Sequence, residues 1–331
     1  MPVEGRSWLI TGGCGFIGTN LIAALLEENP LTKIRVLDNL SVGQKDDLAK
    51  VCNDFLETPV DAISSNPRGV ELVIGDVREA DFVSKTCKGI DIIVHLAANS
   101  GVASSVENPR LDCEVNVIGT LNLLEAARHN NVQKFIFASS GAPLGEQEPP
   151  IHEQKVPRPV SPYGASKLAG EGYCSAYYRT FGLSTIALRF GNVYGPRSKH
   201  KSSVVAKFIQ QALRGEVLEI YGDGQQTRDF IYIKDLVKAI RLAADSDVGG
   251  EVFQIATYRE TTVNELTEQL TALLRKKLPQ LDIRVNYGSE RLGDVKRNYS
   301  DISKARKILG FQPQYDLRKG LEETIDWFLS Q

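Results

Sequence analysis

Residues Ser7 to Thr11 form a short apolar run that leads into Gly12-Gly13-Cys14-Gly15-Phe16-Ile17-Gly18, after which Leu21, Ile22, Leu25 and Leu26 recur at helical spacing. This reads as a strand, a glycine turn and an amphipathic helix. Such a start constrains the fold strongly, because a helix that doubles back on its strand opens a parallel, doubly wound sheet. Glycines at 12, 15 and 18 permit a tight turn and the close approach of a diphosphate to backbone amides at the helix N-terminus. The spacing is GxxGxxG, not the commoner GxGxxG, and a turn with no ligand is the plainer alternative.

The next strand, Ile34 to Asp38, ends in an acid about 20 residues after the last glycine. A carboxylate there accepts both ribose hydroxyls of a dinucleotide's adenosine half and repels a 2′-phosphate, which favours NAD over NADP. An aspartate that ends a strand is also an ordinary turn former. Further strands are expected at Glu71–Asp76, Asp91–Leu96, Lys134–Ala138 and Ser184–Phe190, with helical segments between them, notably 112–129. Asp76 either accepts from the adenine amino group or caps the helix that follows. Asn116, inside the long helix, reads as a solvated polar residue.

Ser161-Pro-Tyr163-Gly-Ala-Ser-Lys167 opens a long helical segment. Tyrosine and lysine four apart lie on one helical face, so a phenol and an ammonium point the same way, and the positive charge is expected to lower the phenol's pKa toward that of a general base. Ser139 and Ser140 close a strand on the edge where ligands of such sheets bind. A hydroxyl there hydrogen-bonds a substrate oxygen, or the pair merely turns the chain. The proline-rich stretch from Gly141 to Pro162 reads as a loop over that edge.

The alternation weakens after Phe190. Helices are expected near 204–213, 234–245, 262–276, 302–309 and 317–328, in a smaller mixed α/β lobe. The division is therefore 1–190 for the Rossmann-type α/β domain and 191–331 for the lobe, with an interleaved boundary. Arg197, Arg228 and Arg291 fall in loops or at strand starts, where guanidinium forks suit a diphosphate or simply meet solvent.

A net charge of -2 gives no basic footprint for nucleic acid. The five cysteines, Cys14, Cys52, Cys87, Cys113 and Cys174, are scattered, without metal-ligand spacing, and read as reduced thiols of a cytoplasmic protein. No metal is expected. No signal peptide and no membrane-spanning run is evident.

Taken together, Thr11 to Gly18, Asp38-Asn39, Gly75-Asp76-Val77, His95-Leu96-Ala97-Ala98, Val115 to Thr120, Ser139-Ser140, Ser161 through Lys167, Arg189 to Arg197, Gly222 through Phe230 and Arg291 to Asp294 resemble the extended short-chain dehydrogenase/reductases. Within these, the chain is most similar to the NAD-dependent nucleotide-sugar epimerase/dehydratase family, and to UDP-hexose 4-epimerases in particular. The resemblance implies NAD held by Gly12, Gly15, Phe16, Ile17, Gly18, Asp38, Asn39, Asp76, Val77, Leu96, Ala97, Ala98, Ser139, Tyr163 and Lys167. It implies catalysis by Ser140, Tyr163 and Lys167, and a UDP-sugar held by Ser140, Asn192, Arg228, Arg291 and Asn298. It also implies a homodimer formed through helices near 110–130 and 162–181.

Sugar 4,6-dehydratases of the family usually carry Thr-Asp-Glu where this chain has Ser140-Gly141-Ala142, so the resemblance disfavours dehydration. Pro143-Leu144 replaces the family's usual Val-Tyr, a departure in the substrate-facing loop. Asn298 stands near the place where a bulky residue excludes N-acetylated sugars in relatives. The other readings are a different nucleotide-sugar oxidoreductase, decarboxylase or dehydratase, or a non-catalytic NAD-binding regulatory protein.

Overall fold

The computed structural model describes residues 5–290 and 295–331. In chain order the elements are β1 (Ser7–Thr11), α1 (Phe16–Glu28), β2 (Lys33–Asp38), α2 (Lys45–Ala49), β3 (Phe55–Glu57), β4 (Val70–Ile74), α3 (Ala80–Thr86), β5 (Ile92–His95), α4 (Val102–Glu107), α5 (Pro109–Cys113), a π-helical turn (Glu114–Ile118), α6 (Gly119–His129), β6 (Lys134–Ser140), α7 (Pro162–Phe181) and β7 (Ser184–Phe190). There follow β8 (Asn192–Tyr194), α8 (Val204–Leu213), β9 (Leu218–Tyr221), β10 (Thr227–Arg228), β11 (Phe230–Tyr232), α9 (Ile233–Asp245), β12 (Glu251–Ile255), β13 (Thr261–Thr262), α10 (Val263–Lys277), β14 (Val285–Gly288), α11 (Ser303–Leu309) and α12 (Leu317–Leu329).

The main sheet has the order β12-β7-β6-β5-β1-β2-β4-β3, and its strands from β7 to β3 are parallel to their neighbours. Strands covered on both faces read as continuous apolar runs, which is why β1, β2 and β5 are buried along nearly their whole length. Leu9, Ile93, Phe135 and Phe137 pack with Val83, Leu123 and Leu124 from α3 and α6 in one core. The chain leaves β1 toward β2 and returns on its other side at β5. Between β1 and β5 lies the reversal of strand order beside which ligands of doubly wound sheets bind.

Two sheet strands lack a sequence signal. β3 is a three-residue edge strand, too short for a period to register, and β12 follows a segment whose alternation had faded. The helix expected over 112–129 is interrupted: a π-helical turn over Glu114–Ile118 separates α5 from α6, and side chains beyond it are rotated relative to a continuous helix.

By contact density the chain divides into two units, the first made of 1–146, 153–190 and 237–253 and the second of 147–152, 191–236 and 254–331. Within the second unit β8 pairs with β11 and β9 with β14 in parallel, while β10 and β13 are antiparallel. Helix α12 packs close to Tyr194, since a Cβ on Gly320 would lie 2.2 Å from the Tyr194 hydroxyl. Among the described residues no helix is long and apolar enough to cross a membrane.

A buried cation ties the far side of the main sheet together. Arg35 Nε donates to Glu71 Oε2 at 2.9 Å, and the same guanidinium donates to the carbonyls of Ser64, Thr86 and Lys88. Arg35→Ala strands a buried carboxylate, so the unfolding free energy should fall by about 3–5 kcal/mol. Urea denaturation measures this, and a loss under about 1 kcal/mol, the range of an ordinary surface change, would show that Glu71 is not stranded.

Candidate active site

The glycine turn is packed against its neighbours at backbone distance. Gly12 has φ 66°, and a Cβ there would meet Ala97 N at 2.9 Å; one on Gly18 would meet Gly13 Cα at 2.5 Å. Side chains would force α1 away from β1. With glycine, α1 starts at Phe16 with Gly15 as its N-cap, and its N-terminal end faces the sheet edge as an anion site requires. Asp38 closes β2 beside this turn, its Oδ2 accepting from Cys14 N at 2.9 Å and its Oδ1 from Leu40 N at 2.8 Å. Each oxygen keeps a lone pair for a hydroxyl donor. Burial raises this carboxyl's pKa above the ordinary value, against the two amide bonds.

Sequence reasoning missed Gly43. A Cβ there would lie 2.2 Å from the Cys14 carbonyl oxygen, so the loop after Asp38 is pressed onto the glycine turn. Asn39, in that loop, is exposed; its Oδ1 accepts from Ser41 N, and its Nδ2 lies 3.4 Å from Asp76 Oδ2. Asp76 does not cap α3, whose N-cap is Glu79. Its carboxylate instead takes Arg78 Nε and Nη2 at 3.0 and 2.8 Å, which holds it below the usual carboxylate range. Asp76, Arg78, Glu79, Glu114 and Ile118 line a cavity of about 350 Å³. Val77 is buried against Gly119.

The end of β5 is fixed by a hydroxyl–imidazole chain. Thr120 Oγ1 donates to the Asn116 carbonyl at 2.6 Å, so it can only accept from His95 Nε2 at 3.1 Å. Nδ1 of the neutral ring then accepts from Thr11 Oγ1 at 2.7 Å, which in turn accepts from Ala97 N at 3.1 Å. Neutrality follows from burial and from the Lys167 charge, which push the imidazole down to about 3. Leu96, Ala97 and Ala98 are thereby set next to the glycine turn, half-buried.

Asn116 corrects the expectation of a solvated residue. It is 1% exposed. Its Oδ1 accepts from Asn99 N, and its Nδ2 donates to Asn99 O, Asp112 Oδ1 and Ser166 Oγ at 3.1, 2.8 and 3.2 Å. The π-helical turn that carries it places this amide between the loop after β5 and helix α7.

Helix α7 begins with Ser161 as N-cap, accepting from Gly164 N at 3.1 Å, and Pro162 at its first position. Tyr163 and Lys167 follow on one face, with Lys167 Nζ 5.8 Å from the Tyr163 ring centroid and the Ser140 side chain close enough to lower the phenol's pKa. Lys167 Nζ donates to Ala138 O at 2.9 Å. The structure brings Ser140, Tyr163 and Lys167 together, but it corrects the expected ionisation. Burial pushes the Tyr163 phenol up to about 12, with Asp112 adding to the rise and Ser140 opposing it, and burial pushes Lys167 down to about 8. Burial is the largest cause of both shifts. The Ser139 hydroxyl donates to Glu171 Oε1 at 2.6 Å, which leaves it only its acceptor lone pairs for a ligand.

In the second unit, Asn192 is exposed at the start of β8. Arg228, on β10, donates from Nη1 to the carbonyls of Thr227 and Val295 at 2.7 Å. Asp229 beside it is buried and accepts from Thr257, Tyr258 and Ser300 amides, which fixes the strand that presents Arg228. Asn298 is half-buried, its amide donating to Thr227 Oγ1 at 3.2 Å. Arg197 has φ 67° and is half-buried, which lowers its pKa. Arg291 lies outside the described residues.

These features fit a dinucleotide: a side-chain-free cradle at Gly12 and Gly15, a helix N-terminus behind it, and Asp38 held by backbone amides. Gly43→Ala should push the Asn39–Gln44 loop off the turn and weaken NAD binding at least about tenfold, since one displaced shell of contacts commonly costs that much. Calorimetric titration with circular dichroism as the folding control measures it; unchanged affinity would show that the loop does not shape the site.

The sequence matches the NAD dependent epimerase/dehydratase family over residues 8–256. It is 34% identical over 326 residues to the UDP-glucose 4-epimerase of Mycolicibacterium smegmatis, covering 97% of each chain. Among solved structures it is similar to the UDP-glucose 4-epimerase of Thermotoga maritima with UDP-glucose, at 35% identity and a TM-score of 0.86, covering 98% of this chain and 99% of that one. It is equally similar to the UDP-N-acetylglucosamine 4-epimerase of Methanobrevibacter ruminantium in complex with UDP-N-acetylmuramic acid, at 36% identity, a TM-score of 0.86 and the same coverage. Proteins named as dTDP-glucose 4,6-dehydratases are similar too. With a Rossmann-type sheet, a glycine cradle and a Ser140–Tyr163–Lys167 cluster on its ligand edge, the chain belongs to the NAD-dependent epimerase/dehydratase family.

Proposed function

We propose that the protein epimerises C4 of a UDP-sugar, UDP-glucose/galactose or a UDP-N-acetylhexosamine, through a transient 4-keto sugar. The observation that carries this reading is the Tyr163 phenol next to Ser140 and the buried Lys167 ammonium, with no acidic side chain in Ser140-Gly141-Ala142 to drive elimination of water. Relatives named as 4-epimerases of UDP-sugars support it.

NAD, held by the glycine turn and Asp38, supplies the hydride acceptor and donor. Tyr163 takes the proton of the C4 hydroxyl in its phenolate form, which a neighbouring positive charge favours and burial opposes, and later returns it. Ser140 holds the sugar oxygen and hydrogen-bonds the phenol, which opposes the rise that burial imposes on it. Lys167 supplies positive charge next to the phenol, and its own depressed pKa of about 8 leaves it mostly protonated at neutral pH. The keto sugar must then present its other face, so binding strength belongs on the nucleotide. Asn192, Arg228 and Arg291 are assigned to UDP on the resemblance, and guanidinium forks suit its diphosphate. Asn298, smaller than tyrosine, is compatible with an N-acetyl group. The helices near 110–130 and 162–181 are assigned to a homodimer.

Because the oxidised cofactor is regenerated each turnover, the purified protein should carry NAD and work without adding it. Incubation with UDP-hexoses, UDP-N-acetylhexosamines and UDP-uronates should give one C4 epimer with no lasting NADH absorbance. Stoichiometric NADH or a dehydrated keto product would overturn the reading. Tyr163→Phe should lower kcat on the order of a hundred-fold or more, and a fully active variant would remove the phenol from the mechanism.

A further inference from the structure

We propose that Glu171 is a positioning residue for this reaction: with Arg189 and Ser139 it forms a buried strut that holds the Tyr163–Lys167 helix in register with Ser140. The inference rests on the epimerase reading above for the roles of Tyr163, Lys167 and Ser140, and on geometry for the strut itself.

Glu171 is one turn beyond Lys167 and two beyond Tyr163, on the same face of α7. Its Oε1 accepts from Ser139 Oγ at 2.6 Å and from Arg189 Nε at 2.7 Å, and its Oε2 accepts from Arg189 Nη2 at 2.6 Å. Ser139 and Arg189 are register partners across β6 and β7, so one carboxylate clamps the two strands side by side. One turn earlier on the same helix, Lys167 Nζ donates to the carbonyl of Ala138. Helix α7 therefore grips the end of β6 at two consecutive residues, and Ser140 is the next one.

Glu171 and Arg189 are 5% and 3% exposed. A buried ion pair gives little stability over apolar side chains of like volume, whereas its bidentate bonds fix direction. Arg189 Nη1 is buried with no hydrogen-bond partner among the described residues, an unfavourable feature that apolar packing would avoid. What the pair supplies instead is a fixed distance between a strand end and a helix face. That distance decides whether the Ser140 hydroxyl reaches the phenol.

The charged and titratable groups that act on the Tyr163–Lys167 pair or on the strut are Asp112 on α5, Glu171 and Cys174 on α7, His95 on β5 and Arg189 on β7. A test should therefore leave the charge count unchanged. Glu171→Asp keeps the charge and shortens the reach by one methylene; Ser139→Ala keeps the ion pair and removes its arm to β6. For both, kcat with UDP-glucose and UDP-N-acetylglucosamine should fall about tenfold while KM stays within about twofold, as for a lost transition-state alignment. The Cζ resonance of ring-labelled Tyr163, assigned by Tyr163→Phe and followed with pH in the NAD-loaded protein, should titrate at higher pH as the Ser140 bond loosens.

Variants with a lower Tm but an unmoved kcat and an unmoved Tyr163 titration would overturn the proposal and leave the pair a stability element. If Glu171→Asp does not fold, Ser139→Ala decides alone. Failure of the unmodified protein to turn over either sugar nucleotide counts against the epimerase reading, while the phenol titration, read without turnover, still decides the strut.

Discussion

Close approach of backbone to backbone at the glycine turn is the constraint on which the ligand edge depends. At Gly12 and Gly18 a single added carbon would fall 2.9 Å or less from main-chain atoms of Ala97 and Gly13. Because no such carbon exists, α1 begins directly over the ends of β1 and β5, and the strand β2 beside them delivers Asp38 to the same place. The acid is then fixed by amides of Cys14 and Leu40, so the carboxylate is oriented before any ligand arrives. A helix N-terminus and an oriented acid at a strand-order reversal are what a dinucleotide requires.

Beside that turn the edge is organised by buried polar groups that satisfy one another. The path from Ala97 through Thr11, His95 and Thr120 to Asn116 has one consistent assignment of protons, and it links two strands to the helix that follows them. Asn116 then connects to Ser166 of α7. Buried polar groups left unpaired are costly, so each donor in this path restricts where its neighbour can sit. The π-helical turn is the local adjustment that lets one side chain reach three elements. The same burial that makes the network rigid acts on the ionisable pair, raising the phenol and lowering the ammonium.

Much of this order was legible in the sequence because it is local. The apolar runs of β1, β2, β5, β6 and β7 and the periodic helices after residue 200 announce themselves, and the glycines mark where the chain must turn. Gly43 gave no such signal, since a lone glycine in a loop says nothing of what passes 2.2 Å from it. Asn116 was misjudged, and the Glu171 partner of Ser139 went unseen, for a related reason: helix and strand patterns give a residue's face but not the residue from another element that fills the space opposite. The sign of the Tyr163 shift belongs to the same class, because the Lys167 charge is visible at four-residue spacing whereas the burial that sets the shift is not.

By itself the sequence determined the alternation of strands and helices, the glycine turn with its acid about 20 residues on, and the phenol and ammonium on one helical face. These follow from periodicity and from the conformational freedom of glycine, both properties of neighbouring residues. Only the tertiary structure decided that Glu171 and Arg189 meet across strand and helix, that Asn116 is spanned by three elements, and that the phenol is harder to ionise than its neighbour suggests. Those outcomes depend on which distant groups exclude water from one another, and desolvation is set by the packing of the whole fold around a site.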